Sequence, residues 1–195
     1  MRAFYRSSAP VEGVNDVSTN TGQPVLAEDL QKLGLQLSHV GIGSQGLARA
    51  KIIAQQSGSL TPDGIKLDGG SMGEDRCKAF LELVEAAVSQ RVVLTNHVQF
   101  LVESASENLY LDIQDPIKNK WIRIEFCAGD FLDLPAGLPL QVGFNPQILQ
   151  SFCIMLFTKT PGADLDHFIT GKHIVLGKSP EAEKHRAVYH KALGI

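Results

Sequence analysis

A mostly β fold, arranged as an antiparallel sandwich or barrel, is the class this sequence predicts, and three observations predict it. After Arg91 the apolar residues gather into short, closely spaced runs. Turn-forming residues separate these runs, and the segment just before them has the spacing of an amphipathic helix.

Residues 7–73 are rich in Gly, Pro, Ser and Asp and read as an arm that wraps a core. The arm carries a helical signal from Leu26 to Leu33, closed by Gly34 at a C-cap. From Gly73 the pattern changes. Cys77, Phe80, Leu81, Val84 and Val88 recur at helical spacing, with Glu74, Asp75, Lys78, Glu82 and Glu85 on the other face, which predicts a helix over 74–89. The strand-like runs follow at Val98 to Val102, Leu109 to Ile113, Trp121 to Phe126, Phe131 to Leu134 and Phe152 to Phe157. Turns are expected at Ala128-Gly129-Asp130, Pro135-Ala136-Gly137 and Gly143-Phe144-Asn145-Pro146. The tail after Gly177, with Lys178, Lys184, His185, Arg186, His190 and Lys191, reads as a solvated helix. The expected organisation is one domain over 1–195: arm 1–73, helix 74–90, barrel 91–176 and tail 177–195.

Composition excludes several classes of function. The 195 residues are 44% hydrophobic and 20% charged, enough to bury one substantial core. A net charge of -3, from 18 basic and 21 acidic residues, gives no broad cationic field for a phosphate backbone, so nucleic acid is not expected as the main partner. The three cysteines, Cys77, Cys127 and Cys153, form no CxxC pair and read as reduced, buried, small apolar residues in a cytosolic-type compartment. No apolar run approaches the roughly 18 residues of a membrane span, and the first residues lack the apolar core of a signal peptide. A cytoplasmic protein is expected.

Arg2-Ala3-Phe4-Tyr5, Thr21-Gly22-Gln23-Pro24-Val25 and Leu30-Gln31-Lys32-Leu33-Gly34 are followed by Trp121-Ile122-Arg123-Ile124, Gly129-Asp130-Phe131 and Leu134-Pro135-Ala136-Gly137. Leu156-Phe157-Thr158 and Asp166-His167-Phe168 close the series. In this order and spacing the segments resemble the acireductone dioxygenases of the methionine salvage pathway, over residues 2 to about 176. The resemblance implies a cupin jelly roll, and enzymes of that family hold Fe or Ni with three histidines and one glutamate. Two histidines and the glutamate form a His-x-His-x-x-x-Glu run, which anchoring on the strand at Val98 places at Arg91, Val93 and His97. The third histidine follows the Pro-Ala-Gly turn and falls on Leu140, while the family's arginine after the glutamate falls on Gln99.

Val93 and Leu140 have no lone pair to donate and Arg91 is a permanent cation, so the expected cofactor is none. One imidazole cannot replace three or four ligands. A shift of register does not restore the set, because residues 40–166 contain a single histidine, His97. The resemblance thus implies a pseudoenzyme: a cupin scaffold used for protein contacts in a larger cytoskeletal, axonemal or ribosomal particle. Two alternatives stay open. One is an active acireductone dioxygenase with a displaced metal site. The other is a metal-free cupin holding a small ligand in a pocket of Arg91, His97 and Gln99, where the Arg91 guanidinium stands in for the metal's charge.

Other motifs have plainer readings. Gly41-Ile42-Gly43-Ser44-Gln45-Gly46 spells GxGxxG after the strand-like Leu35 to Val40, but Ser57 to Gly70 is turn-rich and supplies no second parallel strand with a terminal acid. A Gly-rich turn before a helix is expected. A substitute metal set of His97, Glu103, Glu125 and Cys127 is weighed against packed or paired side chains, and the latter is expected. His167 and His173, near Asp164 and Asp166, read as structural, while His185 and His190 read as surface residues.

Overall fold

The computed structural model describes residues 1–7, 22–105, 109–143 and 152–195. In chain order its strands are β1 (Arg2–Tyr5), β2 (Gln36–His39), β3 (Ile65–Asp68), β4 (Val92–Leu94), β5 (Val98–Ser104), β6 (Leu109–Asp115), β7 (Lys120–Phe126), β8 (Asp130–Leu134), β9 (Pro139–Gly143), β10 (Cys153–Thr158) and β11 (Ile174–Leu176). The helices are α1 (Ala27–Lys32), α2 (Gly43–Gln56), α3 (Glu74–Ser89), α4 (Leu165–Ile169) and α5 (Pro180–Leu193). A six-stranded sheet has the order β1-β7-β6-β9-β4-β11, and a five-stranded sheet has the order β2-β8-β5-β10-β3. Every strand pairing is antiparallel. The class is therefore mostly β, and among the described residues the strands form a pair of antiparallel sheets rather than a closed barrel.

Strand alternation builds the core. Leu109, Leu111 and Ile113 on β6 and Ile122, Ile124 and Phe126 on β7 meet Val98, Phe100 and Val102 of β5 and Leu132 and Leu134 of β8. The other face of the five-stranded sheet is also covered. There Leu101, Phe131, Met155 and Phe157 pack against Val40 and against Ala50 and Ala54 of α2. The helix α3 follows the expected pattern, with Val84 and Ala87 in the core and Glu74, Asp75, Lys78, Glu82 and Glu85 exposed.

Several expectations need correction. The arm does not merely wrap a core: it supplies β1 at one edge of the first sheet and both edge strands, β2 and β3, of the second. The strand β3 escapes a propensity reading because it is four residues long between Gly64 and Gly69. The tail helix α5 buries Ala182 and Tyr189, and the Tyr189 hydroxyl donates to the Leu33 carbonyl at 2.8 Å. The three cysteines are free but partly exposed, not buried. Residues 8–21 of the arm, the Phe144-Asn145-Pro146 part of the expected turn and the Val88 side chain lie outside the described residues.

The GxGxxG segment is a turn that starts α2. Gly41 and Gly43 sit at φ 86° and 67°, in the left-handed region that favours glycine. A Cβ at Gly46 would lie 2.0 Å from the Gly41 carbonyl oxygen. The strands on either side of α2, β2 and β3, stand at opposite edges of an antiparallel sheet and form no parallel crossover pair. Gly46→Ala is expected to lower stability by about 1–3 kcal/mol through overpacking, measured as the urea midpoint at unchanged slope.

Candidate functional site

Strand β4 separates two spaces. It pairs with β9 and β11, matching Val92 with Leu140 and Leu94 with Ile174. On its inner side Val92 and Leu94 face a cavity between the sheets of about 190 Å³. Val98, Phe100 and Leu140 line the same cavity, and α3 contributes Phe80 and Val84 across its mouth. On the outer side of β4, Val93 is fully buried and Arg91 lies beside a second, polar cleft of about 230 Å³.

The four positions named from the sequence therefore do not converge. Leu140 reaches the cavity, but Arg91 and Val93 point to the opposite side of β4 from Val92 and Leu94. His97 precedes β5 and turns outward, its Nε2 2.5 Å from Asp133 Oδ1 with the side chain 22% exposed. Gln99 shares that carboxylate, donating from Nε2 to Asp133 Oδ2 at 2.6 Å. Arg91, His97 and Gln99 thus line no common pocket, because Arg91 belongs with the six-stranded sheet and the other two with the five-stranded one. The physical reason is the two-residue period of a strand, in which a shift of one residue exchanges the two faces.

The substitute set does not assemble either, since each member has its own partner. Glu103 accepts from the Cys153 thiol at 3.2 Å, Glu125 pairs with Arg2 at 2.6 Å, and the Cys127 backbone N–H donates to Asp130 at 3.0 Å. Burial, with Glu103 beside it, pushes the Cys153 thiol up to about 12, which leaves it protonated and unreactive near neutrality. Among the described residues, no three His, Cys, Asp or Glu side chains group as a metal site.

Some polar structure was not foreseen. His173 lines the apolar cavity, its ring centroid 4.7 Å from that of Phe168 and 6.4 Å from that of His167. Its Nδ1 is covered and has no hydrogen-bond partner among the described residues. Burial, and then the neighbouring His167, pushes its imidazole down to about 4, so it is neutral at pH 7. On the outer face of the six-stranded sheet, Arg123 grips Asp112 with two bonds of 2.8 Å and Arg6 adds a third of 2.7 Å. The one available signal for that trio is Asp112 and Arg123 as the cross-strand polar pair of two apolar strands. In the cleft, the Arg91 guanidinium lies 4.8 Å over the Trp121 ring, and Lys178 and Arg186 stand beside it.

No family model matches the chain. Acireductone dioxygenase 1 of Coprinopsis cinerea is 23% identical over 138 residues, spanning 71% of this chain and 72% of that protein. The acireductone dioxygenase of Yarrowia lipolytica is 25% identical over 122 residues, 61% of this chain and 63% of that protein, which is less than two thirds of its length. A solved structure of an acireductone dioxygenase from Bacillus anthracis, with a cadmium ion in its active centre, aligns at a TM-score of 0.49 and 11% identity over 73% of this chain and 91% of that one. By sequence the chain is therefore similar to the acireductone dioxygenases of two fungi.

Proposed function

We propose that this chain is a pseudoenzyme of its family, a cupin scaffold that does not turn over acireductone. The observation that carries the reading is the lining of the cavity, where Val92, Leu94, Val98 and Leu140 converge. Moving the sequence register by one residue puts the family's His-x-His-x-x-x-Glu on Val92, Leu94 and Val98, and the arginine position on Phe100. These residues have the required spacing and all face inward. None of the four ligand positions then offers a lone pair, so the donor set does not fit Fe or Ni. The shifted register strengthens the argument, since it replaces Arg91 and His97, which are polar, with aliphatic side chains.

Metal analysis and a turnover assay test the proposal together. After purification from a medium supplemented with Fe and Ni, the chain is expected to hold well under about 0.1 equivalent of either metal and to leave acireductone at its uncatalysed rate. About one equivalent with turnover overturns the reading and restores the dioxygenase alternative. The scaffold role, in cytoplasmic contact with protein partners, belongs to the same proposal. Recovery of the chain alone by affinity purification from its native cell counts against it.

The persistence of the cavity supports a second reading, a ligand-binding cupin. An apolar space of this size stays dry and accepts a small apolar molecule rather than a polar chelator. Val98→Leu is expected to fill part of the space and raise stability by about 0.5–1 kcal/mol in chemical denaturation. Under the ligand reading the same substitution also abolishes uptake of a benzene-sized probe, read by the probe's effect on the melting temperature.

A further inference from the structure

The cavity between the sheets is apolar except at one point. Phe80, Phe100, Phe126, Phe152 and Phe168 line it among aliphatic side chains, and the polar side chains of its wall, among the described residues, are His173 and Tyr110. Tyr110 is already engaged. It alternates with Leu109 and Leu111 along β6, and the Arg123 guanidinium lies 3.9 Å from the centre of its ring on the outer face of the six-stranded sheet. His167, the neighbouring histidine, is not part of the wall. The His173 imidazole is therefore the polar group that a guest in the cavity would meet.

The state of that imidazole follows from its surroundings. Burial first and His167 second hold it down to about 4, so at pH 7 it is neutral and carries one N–H and one bare nitrogen. The ring makes one hydrogen bond, to the His167 backbone. Nδ1 is not the atom that makes it, because Nδ1 is covered and has no hydrogen-bond partner among the described residues. The proton is thus assigned to Nε2, where it meets the carbonyl, and Nδ1 is left as an acceptor without a donor. A buried acceptor in that state is costly to keep. Water is a poor remedy, since a buried water takes about three polar partners and this wall offers one. A guest that brings an apolar body and a single O–H suits both the space and the nitrogen.

We infer, on the ligand-binding reading above, that the cavity takes a small neutral phenol, a single ring whose hydroxyl donates to Nδ1 of His173. A cavity of about 150 Å³ walled by aliphatic and phenylalanine side chains takes benzene. The cavity of about 190 Å³ here therefore has room for one ring and a substituent. Phenylalanine walls give a ring both edge and face contacts. An anionic guest does not fit, because a neutral imidazole supplies no counter-charge in an apolar space. An ether or ketone of the same size brings an acceptor where a donor is needed.

Calorimetric titration with toluene and with phenol compares two rings of nearly equal size. In the wild-type chain both are expected to saturate, with half-saturation at or below about 1 mM. His173→Phe keeps a ring beside Phe168 and offers no acceptor. It is expected to weaken phenol binding at least about tenfold, because the hydroxyl is then buried unmatched, and to change toluene binding by less than about threefold. If the larger ring fills the space, shown by loss of toluene, His173→Leu takes its place with the same expectation. A direct readout needs no variant: with the histidine rings labelled, nitrogen NMR is expected to show the His173 Nδ1 signal shifting with phenol and staying in place with toluene. Toluene binding without phenol binding, wild-type phenol affinity in a variant that still takes toluene, or an Nδ1 signal that phenol does not move overturns the role of His173 and leaves the apolar-ligand reading standing. Failure of both compounds to bind overturns the two together.

Discussion

Replacing Asp112 by Asn is expected to lower the stability of the chain by about 3–5 kcal/mol, the largest effect of any single polar substitution considered. Asp112 is 2% exposed and Arg123 2%, and the Arg6 side chain is almost as deeply covered. The carboxylate accepts two bonds from Arg123 and one from Arg6. The Arg123 guanidinium also stacks 3.9 Å from the centre of the Tyr110 ring. The trio fixes the register between β6 and β7, where Asp112 lies opposite Arg123, and ties the chain just after β1 to the centre of the six-stranded sheet. Asparagine keeps the shape but removes the charge, so two guanidiniums lose their counter-ion inside a low-dielectric environment. Urea denaturation measures the loss. A triple change of Asp112, Arg123 and Arg6 to apolar residues of similar volume is expected to recover much of it, because the cost lies in uncompensated charge rather than in the missing bonds. A loss below about 1 kcal/mol in Asp112→Asn refutes this account, since that is the range of exposed pairs.

How far the sequence reveals this molecule depends on how each element is covered. The helix α3 is legible to the residue, because one face is exposed and its charged residues mark the 3.6-residue period. The strands β5, β6, β7, β8 and β10 are legible as apolar runs, with ends displaced by one or two residues. The strand β4 is not. Val92, Val93 and Leu94 are 1%, 0% and 4% exposed, since the core covers one face and α5 and its neighbours cover the other. A strand buried on both faces carries no alternation, so sequence alone does not distinguish Val92 from Val93 as the cavity-facing residue. The one-residue shift of register proposed for the candidate site follows from that. The polar cleft beside Arg91 lay beyond sequence reading for a different reason: Arg91, Trp121 and Arg186 are far apart in the chain and meet because α5 folds back beside β4.

Acidification is expected to destabilise the chain between pH 6.5 and 4 through His173, in addition to any general acid effect. The folded imidazole is held down to about 4 by burial first and by His167 second, against an ordinary value of 6.5. Above pH 6.5 neither the folded nor the unfolded form binds this proton, and the residue contributes no pH dependence. Below it the unfolded chain takes up the proton while the folded chain does not, so stability falls as the pH drops and levels off below about 4. The shift corresponds to a loss of about 2 kcal/mol at pH 5 and about 3 kcal/mol at the plateau. His173 faces Phe168 and the apolar cavity, His167 beside it disfavours a second positive charge, and among the described residues no carboxylate stands by to rescue the imidazolium. His173→Phe is the test, since phenylalanine retains an aromatic ring against Phe168 and cannot titrate. The difference in unfolding free energy between this variant and the wild type, measured at pH 7 and again at pH 5, is expected to move in favour of the variant by the same 2 kcal/mol or so. Parallel pH profiles for the two proteins mean that His173 takes up its proton equally in the folded and unfolded chain, and the neutral, apolar description of the cavity wall then fails with it.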